Sequence, residues 1–324
     1  MVFPKKSGIE KAYRSQFPMV KKYKYIQPNK WYHSIYNYCC YWLVLFFGGA
    51  KNPPQKEIIQ SPVFLTGFFR SGTSFLTSTM EVLGADLGPK NHLLQSKGAR
   101  SDLNPNGFFE NYLFMDWSLF IFHKTDSWGH IPVTAQKMQS INFETISLKE
   151  LCFDSFCHIH DERISNLNKI KTWRSFGQAD MADYVNRNFS NPCVIKNPHF
   201  CLFPEVLLQI WPKCRFLVVF RKPSDSLISA EKIIPGVSVE LWLTYYERML
   251  EYKGDVSFFN YDQLLIDPYS GLKALCENYS LKSDKIEEAL AGVKIKSDVV
   301  DQNENFGSRV NSVYNRLKSL SINQ

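Results

Sequence analysis

Residues 65 to 75 read LTGFFRSGTSF: the end of an apolar run, Gly67, Arg70, Gly72, then the hydroxyls of Thr73 and Ser74. Two glycines five residues apart, between an apolar run and a helical pattern, make a sharp strand-to-helix turn. Backbone N–H groups and the positive end of the helix dipole converge in such a turn, which suits it to phosphate or sulfate. In the ATP- and GTP-binding loop a lysine after the second glycine reaches the outer phosphates, and the next hydroxyl holds magnesium. Here Thr73 stands at the lysine position and Arg70 sits inside the loop. A guanidinium fork keeps its charge and binds oxyanions through paired N–H bonds. The chemistry implied is anion binding by Gly67, Phe69, Arg70, Ser71, Gly72, Thr73 and Ser74 without a metal.

Other candidates follow later apolar runs. After FLVVF comes RKPSDSLIS, which puts Arg221 where an ATPase would carry a magnesium-binding aspartate. Pro223 favours a helix start, and Ser229 follows within about two turns at ~1.5 Å per residue. Two anion sites of this kind point to a ligand with two separated anionic groups. The segment IKNPH supplies Lys196, placed where a leaving group would lie, although a strand-end lysine is also an ordinary solvated residue. His199 reads either as a catalytic or substrate-contacting group or as a hydrogen-bonded neighbour of the site. Glu110 lies among aromatic residues in GFFENYLF, where desolvation favours a general base, yet it also reads as a first-turn helix carboxylate.

The elements that must position these residues are legible as short apolar runs at 63–66, 193–195, 216–220 and 256–259. Helical patterns lie between them. TSFLTSTMEVLG carries Phe75, Leu76, Met80 and Leu83 on one face with Gly84 to end it, and SVELWLTYYERMLEYKG starts at Ser238 as a cap and runs to Gly254. Strands alternating with helices imply an α/β fold, a P-loop-like three-layer sandwich whose mainly parallel sheet is flanked by helices. Ligands sit at the carboxyl ends of strands in such sheets.

The composition, with 44% apolar and 21% charged residues over 324 positions, is that of a globular chain. A formal charge of +7 suits an anionic ligand, nucleic acid or an acidic membrane without choosing among them. Eight cysteines show no repeating spacing, so a reducing compartment is the simplest reading. Cys152, Cys157, His158 and His160 invite zinc, but the usual paired-ligand spacings are absent and the segment also reads as a helix. No signal peptide is visible, and the sequons at Asn188 and Asn278 mean little without evidence of secretion. Residues 35–50 are apolar, short for a span, rich in Tyr and Trp and flanked by lysines, which favours an interfacial or packed helix over a spanning one. Two prolines in 51–62 mark a linker. The expected organisation is a basic extension over 1–60 and a catalytic domain over 61–324, in a cytoplasmic protein that is optionally peripheral to or anchored at a membrane.

Taken in order, these stretches resemble the sulfotransferases that use 3′-phosphoadenosine 5′-phosphosulfate (PAPS), in particular the domains common in bacterial and natural-product settings. FLTGFFRSGTSFL is similar to the family's 5′-phosphosulfate loop and RFLVVFRKPSDSLIS to its 3′-phosphate segment. NPNGFFEN at 104–111 is similar to its Asn-Pro-x-Gly-x-x-Glu stretch, IKNPHFCLFP to its Lys-x-Pro segment, and FFNYDQLLIDP at 258–268 to its Tyr-x-x-Leu ending. SWGHIP follows where a Trp-containing loop is expected. The matches span about residues 62 to 270. His199 departs from the arginine of many relatives, and a C-terminal glycine-rich nucleotide loop is not evident, NFGSR at 305–309 being a weak stand-in.

The resemblance implies sulfuryl transfer from PAPS to an acceptor hydroxyl or amine, with release of PAP and no metal. It implies that Arg70 and the loop hold the 5′-phosphosulfate, that Arg221 and Ser229 grip the 3′-phosphate, and that Lys196 steadies the departing oxygen. Glu110 is then the first choice of base and His199 the second. The partners implied are a hydroxyl-bearing small molecule, carbohydrate or lipid, a membrane surface through 35–50, and no nucleic acid. Two other readings stand beside it: a non-catalytic, membrane-tethered nucleotide-binding adaptor, and a nucleotide kinase with a degenerate loop, which would depend on magnesium.

Overall fold

Four parallel strands, β1 (Val63–Thr66), β2 (Val194–Lys196), β3 (Arg215–Phe220) and β4 (Val256–Asn260), form one sheet in the order β2-β1-β3-β4. The computed structural model describes residues 56–94, 107–124, 181–232, 236–293 and 306–324. The apolar stretch 35–50, the SWGHIP stretch and the Cys152–His160 cluster lie outside the described residues.

The strands read as unbroken apolar runs because both sheet faces are covered. Phe64, Ile195, Phe216, Val218 and Phe258 point into one core, and Val63, Leu65, Val194, Leu217 and Phe259 into the other. The first core is closed by helices that include α2 (Tyr112–Lys124), α3 (Met181–Asn188), α6 (Val239–Glu251) and α10 (Ser308–Ser319). The second is closed by α1 (Thr73–Val82), α7 (Tyr261–Ile266), α8 (Pro268–Tyr279) and α9 (Ile286–Leu290). Between these in the chain lie α4 (Pro204–Ile210) on the first face and α5 (Pro223–Glu231) after β3. The architecture is a three-layer α/β sandwich with an all-parallel sheet among the described residues.

β3 and β4 each run one residue beyond the expected stretch, and two further boundaries differ from the sequence reading. β2 is shifted by one residue and includes Lys196, which pairs with Leu65, while Asn197 N–H continues the ladder to Leu65 O at 3.1 Å. A lysine is tolerated inside this strand because its ammonium finds a carboxylate in the fold. α6 starts at Ser238 as expected, with Ser238 Oγ accepting from Leu241 N–H at 3.3 Å, but it ends at Glu251 rather than Gly254. Tyr252 turns to extended backbone and packs its ring on Phe216 at 5.3 Å. At the free side of β4, Ile322 N–H bonds Phe258 O at 2.9 Å and Asn323 exchanges side-chain bonds with the backbone of Asn260 at 2.8 Å. That pairing covers an otherwise open sheet edge.

Candidate active site

The loop between β1 and α1 is built by glycine where the chain approaches itself. Gly67 has φ 146, and a Cβ there would stand 2.1 Å from Val219 O. Gly72 has φ 93 and lies against the ring of Tyr261, whose Cδ2 would be 2.3 Å from an added Cβ. Gly72 is also the N-cap of α1 and offers its first N–H groups no side-chain acceptor. Arg70 itself adopts a left-handed conformation at φ 65. Non-glycine residues keep such a conformation only where surrounding contacts hold it.

Those contacts come from the helix packed beneath the loop. Tyr246 on α6 donates from its hydroxyl to Val219 O at 3.1 Å and accepts from Phe68 N–H at 3.2 Å and from Ser71 Oγ at 2.8 Å. Ser71 is fully buried, its hydroxyl turned into the scaffold and also 3.4 Å from Ser226 Oγ. Ser71 is one of the loop residues expected to bind the anion, and its side chain ties the loop to α6. Thr73 is likewise buried, and its carbonyl takes the Thr77 hydroxyl at 2.7 Å.

Arg70 leaves the loop toward α5, and its Nε donates to Ser229 Oγ at 3.0 Å. Ser229 was grouped with Arg221 on spacing, but its hydroxyl serves Arg70. Arg221 follows β3 immediately, donates to Asp225 at 2.6 Å and Asp262 at 3.3 Å, and stands 5.7 Å over the Tyr261 ring. Burial lowers the Arg70 pKa, and the charge of Arg221 lowers it further. The two guanidinium groups thus stand at adjacent strand ends, with the carboxylates of Asp225 and Asp262 held against Arg221. Burial raises the pKa of Asp262, against the Lys222 N–H and Arg221 that favour its charged form.

On the other side of β1, Lys196 ends β2 with its side chain 2% exposed. Its ammonium donates to Phe108 O at 2.9 Å, to Ser74 Oγ at 3.2 Å and to Glu110 Oε1, so all three of its donors are used. The Ser74 hydroxyl passes on to Phe108 O at 3.3 Å. Burial lowers the Lys196 pKa while the neighbouring Glu110 opposes the shift. Glu110 is carried on a short stretch that bridges Lys196 in parallel, and its Oε2 is buried without a hydrogen-bond partner among the described residues. The two carboxylate oxygens thus differ, Oε1 being held by the ammonium while Oε2 keeps its capacity to accept a hydrogen bond.

His199 sits in the 3-10 turn Pro198–Leu202, held to the end of β1 by Thr66 Oγ1, which bonds Pro198 O at 3.0 Å. Its Nδ1 lies 3.1 Å from Tyr245 OH and its ring meets Phe69 edge-on at 5.4 Å. Arg70, Lys196, Arg221, Glu110 and Ser74 therefore gather at the carboxyl ends of β1, β2 and β3. Sequence reading singled out neither Asp225 nor Asp262, and it gave Tyr261 only as part of the Tyr-x-x-Leu stretch. Asp262 lies just past β4, where the signal that marks the other strand ends also points; Tyr245 and Tyr246 belong to an aromatic helical stretch that reads as pocket lining or as core.

Also missed was His92, whose pKa burial lowers to about 4 from 6.5. Below 6.5 the unfolded chain takes up a proton that the folded chain refuses, so stability is lost as pH falls from 6.5 toward 4. At ~1.36 kcal/mol per unit the whole window is worth about 3 kcal/mol. Urea melts of wild type and His92→Asn across it are expected to converge as the pH falls; parallel curves would contradict this.

Among the described residues no helix is long and apolar enough to cross a membrane, and no group of three or more His, Cys, Asp or Glu side chains could hold a metal. No protein-family model matches the chain, and no curated protein matches it. Among solved structures it is similar to a sulfotransferase of Mycobacterium tuberculosis H37Rv at 17% identity, over 81% of this chain and 77% of that one, with a TM-score of 0.34. It is also similar to the sulfotransferase domain of the Synechococcus PCC 7002 olefin synthase, at 15% identity over 84% and 91%, TM-score 0.36. A sulfotransferase of Mycobacterium avium shares 13% identity over 87% and 79%, TM-score 0.39.

Proposed function

We propose that this chain transfers a sulfuryl group from PAPS to an acceptor hydroxyl or amine, with residues 61–324 as the catalytic unit. One observation carries the reading: Arg70, Lys196 and Arg221 leave the carboxyl ends of three neighbouring strands around a glycine-turned helix start. A donor with anionic groups at both ends of its nucleoside fits that spread of cationic groups. When bound, PAPS supplies an activated sulfuryl group that passes to the acceptor oxygen or nitrogen, leaving PAP.

The protein's part is positioning and charge. Arg70 and the N–H groups at the start of α1 hold the 5′ end, and Arg221 the 3′-phosphate. Lys196 places a buried positive charge beside the first turn of α1, where negative charge grows on the departing oxygen. Glu110 takes the acceptor's proton on Oε2, its other oxygen held by Lys196. His199, with Phe69 and Tyr245, borders the same loop and is proposed to contact the acceptor, which is a small molecule, carbohydrate or lipid alcohol. Sulfuryl oxygens carry less charge than a transferring phosphoryl group, so these donors replace the metal of a kinase. Cytoplasmic action, and contact with a membrane through 35–50, belong to the same proposal.

PAP and PAPS are expected to raise the melting temperature equally with and without EDTA. A magnesium-dependent shift with ATP, and none with PAP or PAPS, would sink the proposal in favour of a kinase. Binding of PAP with no sulfate transfer to any of a panel of carbohydrates, phenols and lipid alcohols would favour an adaptor.

A further inference from the structure

The stretch that carries Glu110 is strained and anchored from behind. Phe109, just before Glu110, has φ 64, and Phe108 and Phe109 both direct their N–H groups at Leu94 O, at 3.2 and 3.3 Å. Leu94 N–H returns a bond to Glu110 O at 2.7 Å, and Leu93 bridges Asn111. A phenylalanine in the left-handed region needs neighbours that leave the backbone no alternative.

Three buried polar side chains outside the proposed donor site provide this. Asn111 Oδ1 takes the N–H of Leu113 at 3.0 Å, which turns its amide nitrogen to Tyr184 OH at 2.8 Å. His92 Nδ1 lies 2.9 Å from the same phenol oxygen. The phenol oxygen thus accepts from Asn111 and shares a second hydrogen bond with His92 Nδ1. Tyr184 thus joins His92, next to one strand of the small bridge, to Asn111 on the other strand. Tyr184 is fully buried and His92 and Asn111 nearly so, at 4% and 2% exposure, which makes these bonds costly to leave unmade.

We infer that Tyr184 is a positioning residue: by locking Asn111 to His92 it sets the direction of the Glu110 carboxylate. The inference rests on the proposed role of Glu110 and acts through that residue alone.

Selective 13Cδ labelling of glutamate in the full chain reads this without any acceptor, Glu110→Gln identifying the Glu110 line by its loss. Tyr184→Phe is expected to move that line or split it in two. Turnover of PAPS with the best acceptor is expected to fall on the order of 100-fold, the loss typical of a misplaced reacting group, while KM for PAPS stays unchanged. His92→Asn, which puts a side-chain amide able to accept or donate where Nδ1 stood, is expected to keep the line near its wild-type position, and His92→Leu to displace it. Where Tyr184→Phe does not fold, the contrast between His92→Asn and His92→Leu carries the test. An unmoved Glu110 line in Tyr184→Phe and His92→Leu overturns the positioning role. Absence of a PAP-induced melting shift in wild type overturns the sulfotransfer reading instead and leaves the labelled line readable.

Discussion

Arg70→Ala is expected to abolish the PAP-induced melting shift at concentrations that saturate the wild type. The guanidinium reaches out of a loop whose other side chains are committed: Ser71 to Tyr246, and Ser74 to Lys196 and Phe108. Truncating one partner of a desolvated charge pair costs on the order of 2–5 kcal/mol, which is roughly 30-fold or more in Kd at ~1.4 kcal/mol per decade. Alanine keeps the Cβ and so the strained backbone at φ 65, which isolates the loss to the charged head. The ligand-free protein should not be weakened much, since burial and Arg221 both oppose the charge on Arg70. Arg70→Lys should restore only part of the affinity, because an ammonium cannot make the paired bonds of the fork. Isothermal titration with PAP decides it: a wild-type Kd in Arg70→Ala would remove this residue from the anion site.

Glu110→Gln separates chemistry from binding. The amide is of the same size but does not serve as a base, so turnover is expected to fall about 10²–10⁴-fold, the range general-base catalysis contributes. The PAP shift should persist. The same change leaves Lys196 as a buried cation without its counter-charge, and breaking one side of a buried pair costs about 3–5 kcal/mol. The sign with pH follows from Lys196, whose pKa burial already lowers from 10.5. Losing Glu110 lowers it further, so the variant's stability deficit is greatest toward neutral pH. It shrinks as pH rises to 10.5, where the unfolded lysine also gives up its proton. Urea melts at pH 7 and pH 10 check this; a deficit independent of pH would point to packing rather than to an orphaned charge.

Much of the frame was legible because its signals are local. Continuous apolar runs mark strands buried on both faces, and β1, β3 and β4 fall within a residue of the runs that announced them. Ser238 caps α6 because a hydroxyl satisfies a helix-start N–H wherever the fold puts it. The end of α6 was less legible: Gly254 looked like the stop, but Tyr252 leaves the helix earlier to pack on Phe216.

Side-chain partnerships were the less legible half. Ser229 lies eight residues after Arg221 and was grouped with it, yet it bonds Arg70, 159 residues away. Ser71 reads as one of the anion-binding loop residues, and the fold adds that Tyr246, 175 residues on, takes its hydroxyl. Glu110 was read as a carboxylate desolvated by aromatic neighbours, and its ammonium partner Lys196 is 86 residues distant.

By itself, then, the sequence determined the order of strand, turn and helix, the arginine in place of a loop lysine, and the glycines that let the chain turn. These depend on steric and hydrogen-bonding preferences within a few residues. Which donor faces which acceptor was decided only by the tertiary structure. Parallel strands are joined by long crossovers, and the order β2-β1-β3-β4 brings distant strand ends side by side with no trace in local spacing. The loop at 65–75 announces a glycine-turned helix start; the sheet order decides that Arg70, Arg221 and Lys196 stand at neighbouring strand ends.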